Sequence, residues 1–255
     1  DPEFTFRITI NGQLLLSMLY EMICEQIPEA VPLMQNTDGL ETLIPNDKVD
    51  KYHEICRKWE IMTQLNLEHD EYSKLIIADV NNYMAVYKNG KTKCKGKFEW
   101  EELEKKKVSI LHKNKSFLVV PKAVYAYFTK GVMPEDFLAQ DNNIFNYCAG
   151  VKAKGGWVFE ERSVKDSTLH VNKLQKIIRY FISNKGSKLV KCNKDGREIQ
   201  TEAGQWLQTV INKVDPNKPF TEYDINKSYY LDEIYKQIQQ IEKVSQRSST
   251  QLSLF

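Results

Sequence analysis

Residues 33–44, LMQNTDGLETLI, limit what this chain can fold into more than any other stretch. Two short apolar strands flank Asn-Thr-Asp-Gly, which reads as a hairpin with one acid, Asp38, at its tip. On both sides the apolar period changes from two to that of a helix. Upstream, apolar residues at 14, 15, 16, 18, 19, 22 and 23 predict a helix over residues 12–26 with a broad buried face. Downstream, NDKVDKYHEICRKWEIMTQL predicts a second helix over 46–65, with Asn46 as its N-cap. A hairpin between two amphipathic helices has to bury its apolar face on them, and this gives an α+β fold class.

The pattern continues. YSKLIIADV and NYMAVYKNGKTKCKG read as strands, with Asn89-Gly90 as a type I′ hairpin turn. Past residue 98 the character changes. PKAVYAYFTKG and PEDFLAQ are short helices led by proline. GWVFEER, KIIRYFISNKGSKLVKC and GREIQ are strand-like, with turns at Lys185-Gly186 and Asp195-Gly196. YDINKSYYLDEIYKQIQQIEKV is a long helix. SQRSST has no apolar residue and reads as a flexible linker before QLSLF.

Bulk composition excludes more than it selects. With 42% hydrophobic and 27% charged residues, the 255-residue chain is an ordinary globular sequence. A net charge of +2 does not announce nucleic acid, so local clusters must carry that argument. Cys24, Cys56, Cys94, Cys148 and Cys192 form no C-x-x-C pair, which speaks against zinc or a disulfide framework and for a reducing compartment. No apolar run approaches the roughly 18 residues that span a bilayer, so no membrane partner is expected.

Three features carry chemistry. Asp38 is either turn chemistry or a metal ligand, because a rigid hairpin tip can fix a carboxylate and leave room for substrate. Lys91, Lys93, Lys95 and Lys97 alternate. In a strand they would form a ladder about 6.6 Å apart on one face, suited to nucleic-acid phosphates or to a solubilised sheet edge. Gly96 would let a backbone pass close by. Gln251, Leu252, Ser253, Leu254 and Phe255 are either a frayed tail or apolar anchors on a tether, fit for a partner's pocket.

Taken in order, DPEFTFRITINGQLLLSMLYEMI, QNTDGLE and IIADVNNYMAVYKNGKTKCKGKF resemble the C-terminal part of a family B DNA polymerase of the bacteriophage kind. The resemblance implies a partial palm with antiparallel sheet and helices over 1–97. It implies a mostly helical thumb with a small β-element over 98–243, a linker over 244–250 and a sliding-clamp-binding peptide over 251–255. Asp38 matches the second Asp of the family's Asp-Thr-Asp hairpin, which binds two catalytic Mg²⁺ ions. Asn36 stands where the first Asp is usual, and Gly39 where Ser is. Asn82, Tyr83, Lys93, Lys95 and Gly96, with Lys91 beside them, match the motif that grips the primer strand. Gln251 to Phe255 are similar to the clamp-docking pentapeptide of bacterial replication proteins.

The implied reaction is attack of a primer 3′-hydroxyl on a dNTP. The implied partners are primer-template DNA, dNTP, a sliding clamp and an N-terminal polymerase portion, in the cytoplasm of a bacterial host. This sequence holds neither the D-x-x-SLYP motif nor the fingers helix of the family. The expectation is therefore a fragment or a split-polymerase subunit, catalytically silent alone. Two other readings stand beside it. One is a non-catalytic DNA- and clamp-binding accessory protein derived from such a polymerase. The other is a plain α+β interaction domain.

Overall fold

The computed structural model describes residues 1–37, 39–100, 117–210 and 218–245, with the backbone of Leu252–Leu254. Helices and antiparallel sheets share the chain, as the α+β reading expects. The chain divides into two compact units, residues 1–98 with 240–255, and residues 99–239. Among the described residues no helix is long and apolar enough to cross a membrane.

In the first unit, α1 (Pro2–Gln26) starts ten residues before the apolar period predicts. Asp1 caps it by accepting from the Glu3 N–H at 3.0 Å, and Pro2 occupies the first turn, where its missing N–H costs nothing. This early half is solvent-facing: Phe4 is 64% and Phe6 66% exposed. Burial begins further along, at Leu16, Leu19 and Ile23. The hairpin follows, as β1 (Val31–Gln35) and β2 (Leu40–Pro45), in antiparallel register with Met34 opposite Glu41 and Gln35 opposite Leu40. Next comes α2 (Val49–Thr63). Asn46 does not cap it. Residues Asn46–Lys48 form a separate 3₁₀ turn, and the helix is led by Lys48 with no side-chain cap.

Ile44 of β2 packs with Leu19, Ile23 and Ile27 and with Tyr52, Ile55, Cys56 and Trp59 of α2. The Trp59 indole N–H donates to the Leu15 carbonyl at 2.8 Å, which pins the two helices at one height. Beyond α2 run β3 (Tyr72–Asp79), β4 (Asn82–Tyr87) and β5 (Thr92–Cys94). Glycine carries the β4–β5 turn, but not as type I′. Gly90 alone has positive φ (+82°), and the Tyr87 N–H donates to the Lys91 carbonyl at 2.8 Å. This is a three-residue loop that ends in a left-handed glycine.

A thirteenth strand, β13 (Leu252–Leu254), comes from the C-terminal stretch, and the six-stranded order is β1-β2-β13-β3-β4-β5.

The second unit corrects one expectation. Instead of a mostly helical body with a small β-element, its described residues carry seven strands. A four-stranded sheet has the order β11-β10-β7-β8 and a three-stranded one the order β12-β9-β6. The strands are β6 (Cys148–Lys152), β7 (Val158–Lys165), β8 (Thr168–Leu174), β9 (Ile177–Ser183), β10 (Lys188–Cys192), β11 (Glu198–Gln200) and β12 (Trp206–Thr209). Helices α3 (Val119–Lys130) and α4 (Pro134–Gln140) precede them, and Gly131 at φ +67° closes α3.

The long helix α5 (Lys227–Ser245) is tied in by Tyr230. This fully buried hydroxyl donates to the Tyr147 carbonyl at 2.7 Å and accepts from the Ile182 N–H at 2.8 Å. α5 runs on through the first two residues of the expected linker, while 246–250 lie outside the described residues.

Because Ile55 is wholly buried between α1, α2 and β2, Ile55→Ala should destabilise the protein by about 2–5 kcal/mol. Urea unfolding followed by circular dichroism measures this, and a loss well under 1 kcal/mol would mean that the helix pair does not hold the hairpin.

Candidate functional site

The hairpin between β1 and β2 is closed at its turn by the Asn36 N–H donating to the Gly39 carbonyl at 3.0 Å. Asp38, the acid singled out by the sequence, lies outside the described residues. At the foot of this turn opens a cleft of about 400 Å³, lined by Gly39, Leu40 and Glu41, by residues 66–70, and by Tyr72 and Lys93 among others.

Its electrostatics centre on Lys93. The ammonium donates to Asp70 Oδ2 at 3.1 Å and to the Tyr72 hydroxyl at 3.3 Å. Tyr72 and Tyr87 also donate to that carboxylate oxygen, at 3.0 and 3.3 Å. Burial works against both charges, and the mutual hydrogen bonds outweigh it. Asp70 is held below the usual carboxylate range and Lys93 above its ordinary value. Glu41 reaches the same cleft from β2 without such partners. Desolvation pushes its carboxyl up, and the nearby Lys93 opposes that only in part. Its Oε2 is buried with no hydrogen-bond partner among the described residues. His69, which also lines the cleft, is pushed down by burial and by its neighbour His53.

The primer-gripping residues inferred from sequence divide into two groups. Asn82 and Gly96 meet. The Asn82 amide donates to both Asp79 oxygens at 2.8 and 2.9 Å, and its Oδ1 accepts from the Lys97 N–H at 2.7 Å. Gly96 sits at φ +64°, where a Cβ would come within 2.2 Å of the Asn81 carbonyl and 2.3 Å of Asn82 Oδ1. Glycine is thus required by a fold-back of the chain on itself. Tyr83 is buried, at 6% exposed. Lys95 is exposed at this corner and Lys91 is exposed at the other end of β5, beside the 88–90 loop, whereas Lys93 between them is engaged with Asp70.

The lysine ladder does not form. β5 ends at Cys94, and Gly96 turns the chain into a 3₁₀ turn (Gly96–Phe98), where burial lowers the Lys97 pKa against the pull of Asp79.

In the tail, Leu252, Ser253 and Leu254 are strand-paired, while Gln251 and Phe255 lie outside the described residues.

Sequence reasoning missed Glu41, Asp70 and Asp79. Glu41 had a signal, as a single acid interrupting the apolar strand LETLI. Asp70 had none, because its partner is 23 residues away.

Two Mg²⁺ ions need bridging carboxylates. Among the described residues no three His, Cys, Asp or Glu side chains gather for a metal. Asp70 is committed to Lys93, while Glu41 keeps an oxygen in hand. The described residues therefore do not make a two-ion site by themselves. What they make is an acid-lined cleft beside an exposed basic corner. No protein-family model, curated protein or solved structure matches the chain.

A carboxyl held above its ordinary value costs folded stability once pH rises past that value, and the cost vanishes below it. Glu41→Gln should therefore stabilise the protein at pH 7 and lose this advantage below about pH 4.3. Thermal unfolding of both proteins across pH 3–8 tests the sign. Equal stability at pH 7 would mean that Glu41 is solvated after all.

Proposed function

We propose that this chain is the C-terminal palm and thumb portion of a DNA-directed DNA polymerase. It acts in the cytoplasm of a bacterial host and binds primer-template DNA and a sliding clamp. The observation that carries the reading is the cleft at the foot of the 36–39 turn, where Glu41 keeps a buried, unpartnered oxygen within the field of Lys93. A carboxylate kept at a cost to stability in a cleft is characteristic of a site for chemistry or ligand. It lies in the same unit as the Asn82 and Gly96 corner, which presents Lys95, and as the exposed Lys91 at the other end of β5. In this reading Asp38 is one half of a two-Mg²⁺ platform, and the N-terminal polymerase portion brings the other half with the nucleotide-binding fingers. The reaction is attack of the primer 3′-hydroxyl on the α-phosphate of a dNTP. QLSLF docks the assembled enzyme on the clamp.

A second reading, a non-catalytic DNA- and clamp-binding accessory protein, is favoured by the engagement of Lys93 and Asp70 with each other. The two readings separate in one assay. Mixed with an N-terminal portion carrying the missing acid motif, the polymerase piece extends a primer with Mg²⁺ and loses this in Asp38→Ala. The accessory protein never does.

The structure also separates the lysines. Lys95→Ala should weaken binding to primer-template DNA and lower the slope of log K against log salt by about one. Lys93→Ala should instead act on the fold, at a cost of up to about 1 kcal/mol, because it removes one of the three donors to the half-exposed Asp70 carboxylate. Filter binding from 50 to 200 mM salt, alongside thermal unfolding, reads both effects. An unchanged salt slope in Lys95→Ala would remove that residue from the interface.

A further inference from the structure

The two walls of the cleft are tied together by the tail. Glu41 lies on β2 and Asp70 just ahead of β3, and both line the cleft. Lys93 belongs with the β3 wall, since β5 pairs with β4, β4 with β3, and its ammonium holds Asp70. In the six-stranded order β2 and β3 are not neighbours, and among the described residues β13 is the strand that joins them. Leu254 is level with Leu43 on one side and with Tyr72 on the other. These positions are two residues beyond Glu41 and two beyond Asp70. The tail thus grips each wall at the same short distance from the acid that wall carries.

The grip is narrow. β13 meets β2 over Leu43, Ile44 and Pro45, and β3 at Tyr72 alone, next to exposed Ser73 and Lys74. A ladder of three residues offers few main-chain hydrogen bonds, each of modest net strength, so another binder of the same residues can displace it. The walls themselves are held independently of the tail, β2 by Ile44 in the helix-packed core and β3 along its length by β4. Releasing the tail therefore unties the walls without unfolding either. Leu252, Ser253 and Leu254 are also three of the five residues that clamp docking assigns to a partner's pocket. A backbone paired within a sheet cannot lie in a groove of another protein at the same time.

We propose that Leu252–Leu254 form a releasable latch on the cleft, so that the tail either ties β2 to β3 or is held by a partner, never both. The polymerase reading, on which this rests, supplies the identity of that partner, a sliding clamp. The consequence is regulatory. A chain free of the clamp keeps the cleft walls joined, and docking on the clamp frees the β1–β2 hairpin, with Glu41, to adjust against the β3 wall. Coupling of this kind is reciprocal: whatever stabilises the joined walls weakens clamp docking by the same factor.

The test uses the full chain and two full-length variants. Ser253→Pro removes a donor from the middle of the latch and should release it. Pro45→Cys with Leu252→Cys places thiols at paired positions across the ladder and should close an intramolecular disulfide on mild oxidation. Amides of Leu43, Ile44 and Tyr72 should exchange about tenfold faster in Ser253→Pro than in the parent chain, and no faster in the oxidised double variant. The Glu41 carboxyl, followed by NMR, should titrate nearer the ordinary glutamate value in Ser253→Pro, as the loosened cleft admits water. Unchanged exchange and an unchanged Glu41 titration in a folded Ser253→Pro overturn the latch. Where that variant does not fold, the disulfide decides: an intramolecular bond supports the latch, and one formed only between copies overturns it.

A second arm uses a purified bacterial sliding clamp, with a synthetic peptide of residues 246–255 as reference. The peptide should bind the clamp about fivefold or more tighter than the full chain does, because the chain must first give up its latched state. Clamp added to the full chain should speed exchange of the same three amides. Equal affinity, or binding with exchange unchanged, overturns the exclusion. A clamp that binds neither chain nor peptide overturns clamp docking and that part of the polymerase reading, while amide exchange in Ser253→Pro still decides the latch.

Discussion

The burial of Ile44 between two helices is the constraint on which the first unit depends. That side chain is the point where α1, α2 and the hairpin meet, and it has no exposed surface. Once it is seated, the register of β2 is set, because a slip by one residue would turn Ile44 outward and Leu43 inward. Everything functional then follows from position. Glu41, three residues earlier, is placed at the cleft. The Trp59 hydrogen bond to Leu15 adds direction to what hydrophobic packing leaves free to slide.

Inside the cleft, charges that look equivalent in sequence are given different work. Lys93 and Lys95 are two residues apart and chemically identical. Lys93 donates to the Asp70 carboxylate and to the Tyr72 hydroxyl, and Lys95 is exposed. Asp70 and Glu41 divide in the same way. Asp70 is stabilised in its charged form, and Glu41 is penalised in its charged form. A pair of acids whose surroundings push their proton affinities apart is a general arrangement for dividing acid and base roles.

Much of the fold was legible where periodicity is strong and local. The second half of α1, helix α2, the β1–β2 hairpin and strands β3 and β4 all follow from apolar spacing alone. What was not legible depended on geometry without a residue signature. β8 was missed because its turn from β7 uses Asp166 and Ser167, both at positive φ, with no glycine to announce it. Strands β6 and β12 are short and sit beside helices and loops. Alternation of lysines continues in the sequence past Cys94, but the strand does not: Gly96, at positive φ, folds the chain back on Asn81 and Asn82. At the site, the hairpin was readable as a hairpin. Its carboxylate chemistry was not, because Asp70 acquires its role only through a lysine and two tyrosines brought in by folding.

The position of β13 also has a consequence in time. A ribosome completes β2 and β3 early, then makes the whole of the second unit before residues 252–254 emerge. Throughout that interval the two inner strand edges of the first unit stand apart, and the contact that joins them in cis has the longest sequence separation in the sheet. Loop closure over such a distance costs only slightly more than over half of it, but it comes late. The sheet of the first unit is therefore the last part of the molecule to be completed, although its first strands are among the first to be made.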